Sequence, residues 1–399
     1  MSRRCSSAQA LDAWIIIRDA LANPTFCIAE EDSESVTRFK LDQQNKLREA
    51  VGIMASFIAN PERVPIDEPK LTTTTANIFK HVEGWTIEYP KILELAEQAE
   101  EVFWMGKEIH VEGDINNFLS VASHAQRHAM ETISKVFVAQ ELSVANYWID
   151  RIYREFQRPE IRAMATYFGM TEAAIHARFY SKLPEALGLD ANPDFYGSYL
   201  KVKEFKERMK IIGEAVKSDD ILLSIATFAI IEKVTLFTQF AVIKSFNVTP
   251  YNLFPKVADG INFSAIDENY HGVGGLMLFD IIKHEQGIST KTEQRILEIA
   301  KALLDHEYAL LDMIYAEGEI DTIKKEHLIM FLHHRWNDVM MSLGFPESIH
   351  KDIGNNPVAD WFYKGINNKM VSADNFAALS NTYNKKWMAS NFTWGEPTA

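Results

Sequence analysis

The sequence predicts an all-α protein, and three observations carry that reading. From about residue 88 to 345 the apolar residues recur at helical spacing over long stretches. Chain breakers are few and fall between those stretches, at Pro159, Pro193, Pro250, Pro255 and Pro346. No run of alternating β-branched residues with Asn-Gly turns marks a strand. Pro184 alone sits inside a helical pattern, where it is expected to end or kink the helix.

Composition narrows the function. The chain has 399 residues, 47% of them hydrophobic and 24% charged, an ordinary globular balance with ample material for a core. A net charge of -14 argues against nucleic acid as a partner. No uninterrupted apolar stretch reads as long enough to span a bilayer, so no membrane is expected. The opening MSRRCSS and LDAWIII are too short an apolar run, too soon followed by Arg18 and Asp19, for a secretion signal. Two cysteines, Cys5 and Cys27, give neither a disulfide framework nor a thiolate metal site, and a reducing cytoplasm is the expected location.

Three regions are expected. Residues 1–75 read as a polar helical extension, closed by the Pro- and Thr-rich ERVPIDEPKLTTTTAN, with no assigned role. Residues 76–345 form the helical domain. Residues 346–399 turn irregular and aromatic, the pattern of a mobile docking tail.

Within the helical domain, four stretches carry ionisable residues where a core helix is otherwise apolar. SKVFVAQELSVANYW holds Glu141, and RAMATYFGMTEAAIHARFY holds Glu172, His176 and Tyr180. ILLSIATFAIIEKVTLFTQFAVI holds Glu232, followed by Lys233, and FSAIDENYHGVGGLMLF holds Asp267, Glu268 and His271. Residues three and four apart share a helix face, so Glu268 with His271, and Glu172 with His176, can each aim a carboxylate and an imidazole at one point. Adding Glu141 and Glu232 from two further helices completes the recipe for a di-iron or di-manganese carboxylate bundle. Charge balance agrees. Four buried carboxylates would protonate if left unpaired, whereas two divalent cations cancel their charge. Oxygen and imidazole donors without thiolates suit iron or manganese, and zinc is compatible with the same ligand types.

The alternatives for single residues are blander. A lone Glu/His pair is more often a surface pair or a satisfied core group, and an isolated buried Tyr or Trp is usually core. His333 and His334 read as structural, and His306–Glu307 and His284–Glu285 as solvated pairs. GVGG (272–275) continues a helix and lacks the GK[ST] ending of a phosphate loop; its small residues suit close helix packing.

From about residue 80 onward the chain resembles the class I ribonucleotide reductase small (beta) subunit, of the ferritin-like superfamily. FWMGKEIHVEGD (103–114) is similar to the family's FW…E…D segment, with Trp104 at the conducting tryptophan. FVAQE (137–141) resembles FTQ-x-D, and PEIRAMATYFGMTEAAIHARFY (159–180) resembles the second-helix motif. IIEKVTLFTQFA (230–241) supplies Glu232, IDENYH (266–271) is similar to RDE-x-x-H, and NTYNK (381–385) resembles the tail segment with the last relay tyrosine, Tyr383. Three departures stand out. Glu141 replaces the usual Asp, and Ile266 replaces a common Arg. The usual Glu-x-x-His has also become Glu172-x-x-x-His176. A one-residue π-bulge would restore the register, the longer spacing could serve unaided, or the ligand could be lost; Glu172 is taken as the ligand.

The resemblance implies a ferritin-like bundle with additional helices. It implies two divalent transition metals, an iron pair first and a manganese or mixed pair next, on Glu141, Glu172, His176, Glu232, Glu268 and His271. Tyr180 is then the radical tyrosine, in an apolar lining that includes Leu236 and Phe240. Asp267 would bond both His176 and Trp104, and Tyr383 would pass the oxidising equivalent to a large (alpha) subunit. The chain would be a homodimer, inactive alone. One competing reading is a related di-metal oxidase or monooxygenase acting without a large subunit. Another is a ferritin-like metal store or a metal-free helical interaction protein. Size-exclusion chromatography separates the stores, because a dimer of two 45.5-kDa chains is not a cage.

Overall fold

A computed structural model describes residues 76–366, apart from 193, 352, 364 and 365; the extension 1–75 and Tyr383 lie outside the described residues. Among those residues there are helices and turns but no strand. In chain order the main helices are α1 (Pro90–Glu101), α2 (His124–Asn146), α3 (Pro159–Met170), α4 (Ala177–Ala186) and α5 (Lys203–Val216). They continue with α6 (Ile221–Ile230), α7 (Phe237–Ser245), α8 (Pro255–Gln286), α9 (Thr290–Ile314) and α10 (Lys325–Leu343).

The helix starts follow local chemistry. Proline opens α1, α3 and α8, where its missing N–H costs nothing. Ser123 caps α2 in a reciprocal box with Gln126, and Asp220 and Ser289 cap α6 and α9. Pro184 falls in the last turn of α4, which ends two residues later at Ala186.

Among the described residues, π-helical turns interrupt the long helices near the centre of the bundle: Tyr147–Ile152 after α2, Thr171–His176 between α3 and α4, and Ile231–Thr235 between α6 and α7. Each inserts an extra residue and rotates the helix beyond it. Helix α8 packs closely on its neighbours along the glycines after His271, against α3 at Gly274 and α6 at Gly275, as their small size suggests. A Cβ on Gly274 would lie 2.9 Å from the Phe168 ring, and one on Gly275 only 3.5 Å from Ala229.

The structure corrects several expectations. The segment Ile221–Ser245 is long and apolar enough to cross a membrane, but 94% of its most apolar window is buried inside the protein. Every residue of α6 is buried, as suits a helix surrounded by other helices. Glu307 is no solvated residue. It is fully buried, pairs with Arg208 at 2.5 Å, and accepts hydrogen bonds from Thr238 and Gln239, tying α9 to α5 and α7. Glu285 likewise accepts from the Ile78 amide and the Tyr89 hydroxyl, fastening the start of the described chain to α8. His333 is structural as expected, stacked on His350 at 3.8 Å and bonded to Tyr308.

The region assigned to the tail starts out packed. Val358 and Phe362 are buried, and Lys244 of α7 donates to the Phe362 carbonyl at 2.6 Å while covering its ring. Burial lowers the Lys244 pKa to about 7. A lysine with a depressed folded pKa binds fewer protons folded than unfolded between that value and 10.5. Its burial therefore weakens the fold fully below pH 7, and the penalty fades as pH rises. Denaturation is expected to show stability rising from pH 7 to 10, with the rise flattened in Lys244→Met. Glu307→Ala strands Arg208 in the core and is expected to cost about 3–5 kcal/mol in the same assay.

Candidate metal centre

The six predicted ligands converge. Glu141 comes from α2, Glu172 and His176 from the π-turn Thr171–His176, Glu232 from the π-turn Ile231–Thr235, and Glu268 and His271 from α8. All six are 0–1% exposed. They form two sets whose donor atoms lie within 4.8 Å of one another: Glu141, Glu172, His176 and Glu268 in one, and Glu172, Glu232, Glu268 and His271 in the other. Glu172 and Glu268 belong to both sets. Each potential ion thus has one carboxylate of its own, one imidazole, and two carboxylates that span the pair.

The π-turn explains the Glu172-x-x-x-His176 spacing. Its extra residue lets both side chains face one centre, with His176 Nδ1 at 3.2 Å from Glu172 and 3.1 Å from Glu268. In α8, without such a turn, the shorter spacing does the same work, and His271 Nδ1 lies 2.5 Å from Glu172 and 3.1 Å from Glu268. Both imidazoles point the same ring nitrogen inward.

The donor set fits two cations. Neither oxygen of Glu141 or Glu232 has a hydrogen-bond partner, while Glu172 Oε1 and Glu268 Oε1 meet the inward nitrogens of His271 and His176, at 2.5 and 3.1 Å. Orphaned carboxylate oxygens in a dry interior are costly unless a cation takes them. Without cations, protons must do the balancing. Burial, then the neighbouring Glu172, pushes Glu141 well above the carboxylate range; burial, then Glu268, does the same to Glu232. Burial also raises Glu172 and Glu268, but His176 and His271 outweigh it and hold both below the usual value. Burial works against charge on the imidazoles too, yet Glu172 raises His176 well above its ordinary value and His271 to about 9.

The contacts expected around the cluster are present. Trp104 Nε1 donates to Asp267 Oδ2 at 2.7 Å, and the same oxygen lies 3.0 Å from His176 Nε2. A carboxylate on the far nitrogen fixes the ring of a metal-facing histidine. Trp104 is stacked on Phe263 and edged by Phe179. Its segment is held by a residue the sequence did not single out. Lys182, one turn past the site on α4, donates to the carbonyls of Gly106 and Ile109. A lysine in a helical pattern carries no sign of such a role.

Tyr180 lies one turn beyond His176, with ring centroids 6.2 Å apart. Phe137 packs on it at 4.5 Å, and Phe240 packs on Phe137. A cavity of about 20 Å³ adjoins the phenol, lined by Met130, Phe137, Leu183, Val257 and Ile261 among others.

Residues 82–357 match the family described as "Ribonucleotide reductase, small chain". A probable ribonucleoside-diphosphate reductase small subunit of Invertebrate iridescent virus 3 is 25% identical over 282 residues, covering 65% of this chain and 73% of that protein. The fold is similar to the dimanganese(II) NrdF of Streptococcus sanguinis, with a TM-score of 0.58, 19% identity, and coverage of 72% of this chain and 99% of that one. It is also similar to the Rnr4 homodimer of Saccharomyces cerevisiae, with a TM-score of 0.58, 16% identity, and coverage of 81% and 99%.

Replacing one ligand at a time separates shared from private donors. Glu268→Ala is expected to abolish binding of both ions, whereas Glu141→Ala retains one per chain, read by metal analysis after dialysis. Because ions displace the protons held by the cluster, binding is expected to weaken on acidification and to release protons, measurable by titration calorimetry in buffers of different ionisation enthalpy.

Proposed function

Because the chain belongs to the ribonucleotide reductase small-chain family, we propose that it generates and stores the radical of a ribonucleoside-diphosphate reductase, with Tyr180 as the stored radical and a large subunit as its partner. The observation that supports this most is the pair of four-donor sets sharing Glu172 and Glu268, with a buried phenol one helical turn away. Two redox-active ions, an iron pair first and a manganese or mixed pair next, would supply one-electron oxidising power there when treated with an oxidant.

The chain's own residues do the rest. Glu141 and His176 would hold one ion and Glu232 and His271 the other, with Glu172 and Glu268 available to both. Phe137 and Phe179 pack on the Tyr180 ring. The hydrogen-bonded line from Trp104 through Asp267 to His176 is the path for an electron and its proton toward the surface. Tyr383 would continue that path into the large subunit, where ribonucleotides are reduced. The chain acts as a homodimer in this reading.

The oxidase reading is weaker on one observation. The cavity beside Tyr180, at about 20 Å³, has room for little more than one water and none for an organic substrate.

Electron paramagnetic resonance on the metal-loaded, oxidant-treated protein tests the proposal. A tyrosyl signal is expected, and Tyr180→Phe is expected to lose it. Removing residues 371–399 is expected to keep the signal but abolish ribonucleotide reduction with the large subunit. Turnover of a separate substrate by that truncated chain, without a large subunit, would favour the oxidase instead.

A further inference from the structure

The surroundings of Tyr180 are not uniformly apolar. Ser264 of α8 is fully buried, and its hydroxyl bonds to no other group; the same is true of the Tyr180 hydroxyl. A serine or threonine inside a helix ordinarily turns its oxygen back to the carbonyl four residues earlier. Ser134, Thr171, Thr227 and Thr235 all do so here. Ser264 does not, so its hydroxyl is directed elsewhere.

The helix register says where. Along one face of α8, Val257 and Ile261 line the cavity that Tyr180 also lines, while Asp267 and Glu268 meet His176. Ser264 lies on that face between the two groups, three residues after Ile261 and four before Glu268. Tyr180 is one turn from His176 on the opposing helix. At Gly260 the two helices approach so closely that a Cβ would collide with the ring of Phe179. The two orphaned hydroxyls therefore share one seam. Burial, then the charge of Glu141, pushes the Tyr180 pKa well up.

We propose that the Ser264 hydroxyl is the hydrogen-bond partner of the Tyr180 oxygen, accepting from the phenol in the resting protein and donating to the oxygen of the phenoxyl radical. The proposal rests on the reading of Tyr180 as the stored radical. In that reading oxidation removes one electron and the phenolic proton from Tyr180; a metal pair held by the cluster and treated with an oxidant would accept the electron, and a cluster carboxylate would accept the proton. Ser264 keeps its own proton and only turns about its Cβ–Oγ bond, because a hydroxyl is both donor and acceptor. A donor at that oxygen makes Ser264 a residue that tunes the radical, not mere lining.

High-field electron paramagnetic resonance and deuterium electron–nuclear double resonance, on metal-loaded and oxidised protein exchanged into heavy water, provide the test. The parent and Ser264→Thr are expected to show an exchangeable deuteron coupled to the Tyr180 radical. Ser264→Ala is expected to lose that coupling and to raise the largest g-value. An unchanged coupling in Ser264→Ala, the mark of a water or another donor, overturns the proposal, as does its absence in the parent. Metal-free protein supplies an independent arm. Ultraviolet resonance Raman differences against Tyr180→Phe report hydrogen bonding of the phenol itself, and Ser264→Ala is expected to shift them. If the parent forms no tyrosyl radical, the radical reading fails, while the Raman arm still decides whether the two hydroxyls are bonded.

Discussion

Everything in this protein is arranged around the cost of placing four carboxylates in a dry interior. Glu141, Glu172, Glu232 and Glu268 meet where no water reaches, and several of their oxygens have nothing to bond. Two cations would resolve that conflict in the way the donor geometry invites, with Glu172 and Glu268 common to both sets. The π-turns at Thr171–His176 and Ile231–Thr235 place Glu172, His176 and Glu232, and α8 supplies the remaining pair without one. Gly272 and Gly274 let α8 come close to the π-turn that carries Glu232 and to α3.

The same constraint organises the periphery. His176 serves two masters: one nitrogen faces the cluster and the other faces Asp267, which in turn holds Trp104. A change in charge at the cluster is therefore felt at Trp104 through two hydrogen bonds. Tyr180 sits close enough to share the cluster's chemistry yet is walled by Phe137 and Phe179. Lys182 and the close approach at Gly106 keep the Trp104 segment on the helix that carries His176 and Tyr180.

Much of this was legible in the residues. Acids in apolar helices, paired with histidines at helical spacing, pointed to the cluster because period and polarity together leave few other uses for them. The Glu172–His176 spacing could not be settled that way, since a π-turn is a backbone choice that leaves no local signature. Glu307 read as solvated because its partners, Arg208, Thr238 and Gln239, lie far away in sequence. The apolar run Ile221–Ser245 looks the same whether lipid or other helices surround it, and only the tertiary packing decides. Ser264 is one serine among many until its missing back-bond and its place opposite Tyr180 are seen together.

The most direct test of the central claim is anomalous diffraction from crystals of the protein grown or soaked with iron or manganese. Two peaks are expected per chain, both contacted by Glu172 and Glu268, with Glu141 and His176 on one and Glu232 and His271 on the other. No peak at this cluster, or a single ion held without the shared carboxylates, would contradict it.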